Sequence, residues 1–186
     1  MKKFILVLFV LAAFGGSLFA FDLLQYPPSL DGGDLLIDIG AGFGSFGASN
    51  WDVKIPPLAV SVEFCIPAGI PLSIGGMFSF FQYGWESSSH SWTYDFMVFA
   101  GRANWHWNFD VSLLDFYTGI SLGYQSFSSA YSGPDQAWAN TQYNWNYGGF
   151  FWAGQLGAHF YFTKHFGLLA EIGYPIWAKA GLSLKF

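Results

Sequence analysis

Apolar residues return at every second position through most of this chain. In Asp34 to Gly44, Leu35, Ile37, Ile39, Ala41 and Phe43 share one face, while Asp38 and three glycines take the other. Side chains of a β-strand point alternately to its two faces, so a period of two predicts strand. Leu58 to Ile66 sets Leu58, Val60, Val62, Phe64 and Ile66 against Ala59, Ser61, Glu63 and Cys65. Leu72 to Tyr83 follows after a short "PAGIP", with Leu72, Ile74, Phe78 and Phe80 opposite Ser73, Gly75 and Ser79. Trp92 to Trp107 places Phe99, Trp105 and Trp107 opposite Arg102, Asn104 and His106, but Asp95 falls on the apolar face, which predicts a bulge or an early loop there. Leu114 to Tyr124, Phe150 to Phe162, Phe166 to Tyr174 and a last stretch ending at Phe186 complete a set of eight.

The connections alternate in length. Ser45–Pro57, Gly84–Ser91, Gln125–Gly149 and Pro175–Trp177 form one set, and "PAGIP", "NFDVSL" and "TKH" form the other. Short turns at one end and longer loops at the other predict an all-β fold, an eight-stranded antiparallel up-and-down barrel.

Composition decides which face of that barrel meets its surroundings. The chain is 53% hydrophobic and 22% aromatic but only 10% charged, against about 25% in ordinary globular proteins. A barrel whose polar face is mostly Gly and Ser is poorly suited to water on the outside. Aromatic residues gather near the strand ends, Phe43, Tyr83, Trp92, Tyr124, Phe150, Trp152, Tyr174 and Trp177 at one level and Trp105, Trp107, Phe116, Phe160, Phe162, Phe166 and Phe186 at the other. Two such bands are expected at the two interfaces of a membrane. The pattern therefore predicts a transmembrane barrel, with its apolar face outward, rather than a soluble barrel of lipocalin type.

Residues 1–20, "MKKFILVLFVLAAFGGSLFA", join Lys2 and Lys3 to a short apolar run and then small residues, which reads as a secretory signal peptide preceding a barrel domain at 21–186. Its removal leaves five Lys/Arg against twelve Asp/Glu, a net charge of −7. Nucleic acid is excluded as a partner on that balance. Cys65 is the one cysteine, which excludes an intrachain disulfide and reads as a packed small side chain.

The closing "AKAGLSLKF", with Leu182, Leu184 and Phe186 in alternation, resembles the C-terminal strand signal of bacterial outer-membrane proteins. "YFTKHFGLLAEIGY" resembles the penultimate hairpin of the small outer-membrane β-barrel domain family, the relatives of the OmpA, OmpX and OmpW barrels. The resemblance implies residence in the bacterial outer membrane after export, contact with outer-membrane lipid, and insertion by the barrel assembly machinery that reads the terminal strand. It implies a structural or surface-interaction role, with a narrow conduit or binding barrel for small hydrophobic molecules as the alternative. Lipid A acyl hydrolases also occur among small outer-membrane barrels. That resemblance requires a His and a Ser two positions apart on one strand, whereas His159 is followed by Tyr161, and the His90–Ser91 pair lies in a predicted loop without a partner acid. The expectation is a protein that is not an enzyme, with no cofactor and no metal spacing among its four scattered histidines.

Two groups of residues carry the candidate chemistry. The inward face holds Asp38, Glu63, Asp115 and Glu171 with Arg102, Lys179 and Lys185, and with His106, His159 and Gln155 beside them. An eight-stranded lumen is just wide enough to be filled by side chains or to hold one small ligand, and buried charges are costly unless paired. An ion-paired plug is the expectation, in preference to a proton path or a binding site. Closing the last hairpin through "PIW" places Gly173 opposite Lys179 and Glu171 diagonal to it. The second group is Tyr131, Trp138, Tyr143, Trp145 and Tyr147, set among Ser, Asn and Gln in the longest outer loop. Rigid aromatics among adaptable amides suit the recognition of an extracellular glycan or protein.

Overall fold

The computed structural model describes residues 25–43, 52–87, 89–134 and 145–186. Its eight strands are β1 (Leu35–Phe43), β2 (Asp52–Cys65), β3 (Leu72–Ser87), β4 (His90–Trp107), β5 (Leu114–Ser132), β6 (Trp145–Tyr161), β7 (Phe166–Gly173) and β8 (Ala178–Lys185). Each pairs antiparallel with its neighbours, and β1 pairs with β8 from Leu36↔Lys185 to Phe43↔Ala178, closing the barrel. Closure leaves no unpaired edge around the ring the eight strands share.

The alternation read from the sequence becomes an inside and an outside. Outward positions include Ile39, Val62, Ile74, Phe99, Ile120, Leu122, Trp152 and Ile172, all exposed, while Asp38, Glu63, Arg102, His106, Asp115 and His159 are buried within. A soluble fold of this size would hide the first set and hydrate the second. Here the apolar exterior suits hydrocarbon, where only closed barrels and helices satisfy every backbone group.

The strands are longer at the end away from Phe186 than the alternation predicts. β3 and β4 remain paired up to Ser87↔His90, β4 and β5 up to Ser91↔Ser132, and β5 and β6 up to Ser129↔Trp145. Much of the predicted loops Gly84–Ser91 and Gln125–Gly149 is therefore strand. β2 also begins early, at Asp52, with register irregularities between Val53 and Leu58 around Pro56 and Pro57. Those prolines, which lack an N–H, stand above the last β1 pairing at Ala41↔Leu58, where no partner on that side is needed. The expected bulge at Asp95 is not formed, since the β3–β4 register runs unbroken from Leu72↔Trp105 to Ser87↔His90. Asp95 points outward and accepts a 2.6 Å hydrogen bond from Gln82 Nε2 on β3.

This extension reverses the polarity of the wall. Above Phe80, Met97 and Tyr124, the outward positions are Gln82, Asp95, Ser126 and Ser128, while Phe81, Tyr83 and Phe96 are buried inside. Tyr83 and Trp92 consequently belong to the inward face, not to an outer aromatic band. Tyr174 is half-buried against Phe151.

Candidate functional site

The lumen is filled in layers. At the Phe186 end, Leu30, Leu36, Cys65 and Tyr161 form an apolar cluster with Tyr26 packed on it. Met77, Phe81, Tyr83, Phe96, Val98, Ala100, Phe151 and Ala153 form a second cluster toward the opposite end, with Phe127 and Tyr174 against it. Phe81 stacks on Phe96 with ring centroids 4.5 Å apart. Between these layers lie the charged side chains.

Glu171 on β7 is the hub of one half of that network. It accepts from Lys179 Nζ at 2.7 Å, from Arg102 Nη2 at 2.7 Å and from the Tyr117 hydroxyl at 2.5 Å. Lys179 lies directly opposite Glu171 in the β7–β8 ladder, not diagonally as hairpin counting predicts. Tyr117 reaches across because Gly157 leaves its place empty, where an added Cβ would sit 2.3 Å from the Tyr117 ring. Arg102 Nε also lies 2.9 Å from Glu63 Oε1, although it is not aligned for a hydrogen bond. Glu63 Oε2 accepts from Ser73 Oγ and Asn104 Nδ2, each at 2.6 Å, and Gln155 Nε2 donates to Asn104 Oδ1 at 2.8 Å.

The other half centres on Asp115. One oxygen faces His106 Nδ1 at 2.8 Å and the other faces His159 Nδ1 at 2.8 Å. His159 Nε2 lies 3.3 Å from Asp38 Oδ1, and Ser61 Oγ donates to Asp38 Oδ2 at 3.2 Å. Both ring nitrogens of His159 thus face carboxyl groups, and the ring bridges Asp115 and Asp38. Ser73 Oγ, which donates to Glu63, also lies 2.9 Å from His106 Nε2, so this serine links the two halves of the network. Each of the four acidic residues Asp38, Glu63, Asp115 and Glu171 thus lies within ion-pair distance of a basic side chain, Arg102, Lys179, His106 or His159.

Every predicted lumen residue, Asp38, Glu63, Arg102, Asp115, His159, Glu171 and Lys179, is placed in this connected set. Lys185 stands apart at the mouth, 3.7 Å from Asp34. Sequence reading misses Ser73 and Tyr117, which look like ordinary alternating residues. It also misses the juxtaposition Ser73–His106–Asp115, which brings together the atom types of a hydrolytic triad. Ser73 is fully buried and its proton is committed to Glu63, so the serine is not activated as a nucleophile.

At the rim distant from Phe186, Trp85, Trp92 and Tyr131 form a row across β3, β4 and β5, with centroids 4.9 Å and 4.7 Å apart. His90 Nδ1 lies 2.5 Å from the Tyr131 hydroxyl. Tyr131, expected in a surface loop, is instead a buried inward residue of β5, because β5 runs on to Ser132. Tyr147 lies on β6 and is exposed. Trp145 starts β6, and Trp138 and Tyr143 lie outside the described residues. In the terminal strand, Leu182 and Phe186 face outward and are exposed, and the backbone of Phe186 exchanges hydrogen bonds of 2.8 and 3.0 Å with Leu35. Residues 1–20, the expected signal peptide, are outside the described part.

The closed eight-stranded barrel has solved counterparts. Ail, the attachment invasion locus protein of Yersinia pestis, superposes with a TM-score of 0.55 at 12% identity, covering 84% of this chain and 100% of that one. The outer membrane protein OprG of Pseudomonas aeruginosa gives 0.50 at 11% identity, covering 89% and 99%. This chain has the fold of the eight-stranded outer-membrane β-barrels. Ail has also been solved in complex with the heparin analogue sucrose octasulfate, and that structure matches with a TM-score of 0.50 at 10% identity over 84% of this chain and 100% of that one. No protein-family model and no curated protein matches the sequence.

Proposed function

We propose that this protein is a closed outer-membrane barrel of the bacterial cell, exported by residues 1–20 and inserted through its terminal strand, whose role is structural or exercised at the cell surface. The observation that carries this reading is the layering of the lumen: four acidic side chains, each within ion-pair distance of an arginine, lysine or histidine, beneath a packed aromatic layer. An ion passing through would have to displace these pairs and then part the Phe81–Phe96 stack. The alternative conduit for small hydrophobic molecules draws support from the apolar lining of the upper layer. It meets charged groups immediately below, where an apolar solute gains nothing and the network would have to open.

The surface bears on the class of partner. Among the described residues of the extended rim, the charged groups are Asp52, Glu86 and Asp95 against Lys54, and Lys54 is engaged with Glu86 at 2.6 Å. A sulfated sugar of the kind bound to Ail needs an excess of cations that this rim lacks. A neutral glycan or a protein surface, met by exposed Tyr147 and by the Trp138 and Trp145 region, fits better. The lumen reading is tested by single-channel recording of the refolded barrel in planar bilayers, with and without small apolar solutes. Silence in both conditions is expected. Steady ion conductance overturns the closed lumen, and a solute-dependent response moves the function to the conduit.

A further inference from the structure

The chain before β1 does not lead away from the barrel but crosses its mouth at the Phe186 end. The Tyr26 hydroxyl lies 2.7 Å from the Leu72 carbonyl and 3.1 Å from that of Ile66, on the two sides of the β2–β3 turn. Asn108 Nδ2, from the β4–β5 turn, donates to Tyr26 O at 3.2 Å. Ser29 Oγ donates to the Leu114 carbonyl at 3.0 Å, at the start of β5. Lys185 Nζ, at the end of β8, donates to Ser29 O at 2.5 Å. The segment then turns into β1 through Gly33, whose φ of 106° is open to glycine and strained for other residues.

Two side chains of this segment enter the mouth. Leu30 is 3% exposed among Leu36, Cys65 and Tyr161, and the Tyr26 ring packs on the same cluster, 6.0 Å from the His106 ring. Burial is the main cause of a phenol pKa raised well above its ordinary value at Tyr26, which therefore remains a neutral donor. From Tyr26 to Ser29 the segment is held by side-chain contacts to carbonyls and by apolar packing, and backbone pairing with β2 begins only at Gly33. Up to Gly32 it can leave without breaking a rung of the sheet, whose first bonds to β2 are Gly33 N–H to Cys65 O and Cys65 N–H to Asp34 O at 2.8 Å each, and this places it among the parts of a fold that open first.

We propose that Tyr26–Gly32 is an intramolecular strap that closes this mouth, and that its displacement opens Cys65 and the His106 end of the polar network to water while the barrel stays intact. This goes beyond the closed-lumen reading, because it makes one of the two closures a separable device carried by the chain ahead of the barrel.

Cys65 reports the state of the strap, being the chain's one cysteine and fully buried beneath it. The full mature chain, refolded in lipid vesicles, is exposed to a small maleimide and its alkylation rate compared with that of the denatured chain. Strong protection is expected in the wild type. Tyr26→Ala with Leu30→Ala should raise the rate at least about tenfold, since a buried leucine and a half-buried aromatic ring are lost, with the heat-modifiable folded band retained on gels. Tyr26→Phe keeps the ring but removes the donor, and should raise the rate about two- to tenfold, the factor that one ordinary hydrogen bond makes in an opening equilibrium. Cys65 reacting in the wild type as in the denatured chain overturns the strap, as does full protection in a folded double variant. If the double variant yields no barrel, an unchanged rate in Tyr26→Phe overturns it. Strap release leaves the aromatic layer in place, so a current through the folded double variant would count against the closed-lumen reading and leave the strap standing.

Discussion

Removing the carboxylate of Glu171 should destabilise the barrel more than any other single truncation in the lumen. Glu171 is 8% exposed and serves Lys179, Arg102 and Tyr117 together. In Glu171→Ala, Arg102 keeps Glu63 as a partner, but Lys179 loses the one carboxylate within ion-pair distance among the described residues. Leaving one buried charge unpaired costs about 3–5 kcal/mol, and the Tyr117 hydroxyl loses an acceptor worth about 1 kcal/mol. The expected loss is about 4–6 kcal/mol. A second substitution identifies its cause. Lys179→Met in the Glu171→Ala background removes the stranded cation and should recover about 2 kcal/mol or more, as replacement of a whole buried pair by apolar groups is often nearly neutral. Stability is read from urea titrations of the refolded barrel in phospholipid vesicles, followed by tryptophan fluorescence and extrapolated linearly. A loss below about 0.5 kcal/mol for Glu171→Ala, in the range of exposed pairs, or additive behaviour of the two substitutions, would refute the buried pairing.

Two further outcomes follow from the upper part of the molecule. Phe81→Ala removes a ring stacked on Phe96 in the aromatic layer and should cost about 3–5 kcal/mol in the same titration, whereas a cost below about 1 kcal/mol would mean that the layer is not close-packed. Trp138→Ala with Trp145→Ala should leave that stability within about 0.5 kcal/mol of wild type while abolishing any binding found on neutral-glycan or host-matrix arrays, and a hit that survives both substitutions returns the loop to a structural role.

The strand count, the inward set of charges and the outward apolar face were legible because each depends only on parity. Asp38, Glu63, Arg102, Asp115, His159, Glu171 and Lys179 all occupy the polar phase of an alternating run, and closure sends that phase into one narrow space. Their pairings were not legible. Arg102 and Glu171 are separated by 69 residues and meet across the lumen, at a height fixed by strand register that no local pattern encodes. Hydroxyl residues such as Ser73 and Tyr117 carry no charge to mark them, and the stretch from Gln25 to Gly33, rich in turn formers, gives no period at all. The strap follows from side-chain contacts to three turns and strands that are distant in sequence.

The errors at the upper strand ends share one physical cause. An apolar phase assigned outward throughout fails at Asp95 and predicts a break in the strand there. The strand does not stop, and instead its surroundings change. Phe80 gives way to Gln82, Met97 to Asp95 and Tyr124 to Ser126 on the outer face, and across the ladders Gln82 pairs with Asp95, and Asp95 with Ser128. On the inner face, the polar set of Ser73, Asn104 and Gln155 gives way to Phe81, Phe96 and Phe151. The outer face thus changes character on β3, β4 and β5 and the inner face on β3, β4 and β6, as required where a wall passes from hydrocarbon into water. Below the exchange, polar groups can be hidden only inside. Above it, the aromatic rings must be, which is why the aromatic layer stands at the level of the exchange and why Tyr131, on the inner face of β5, is buried.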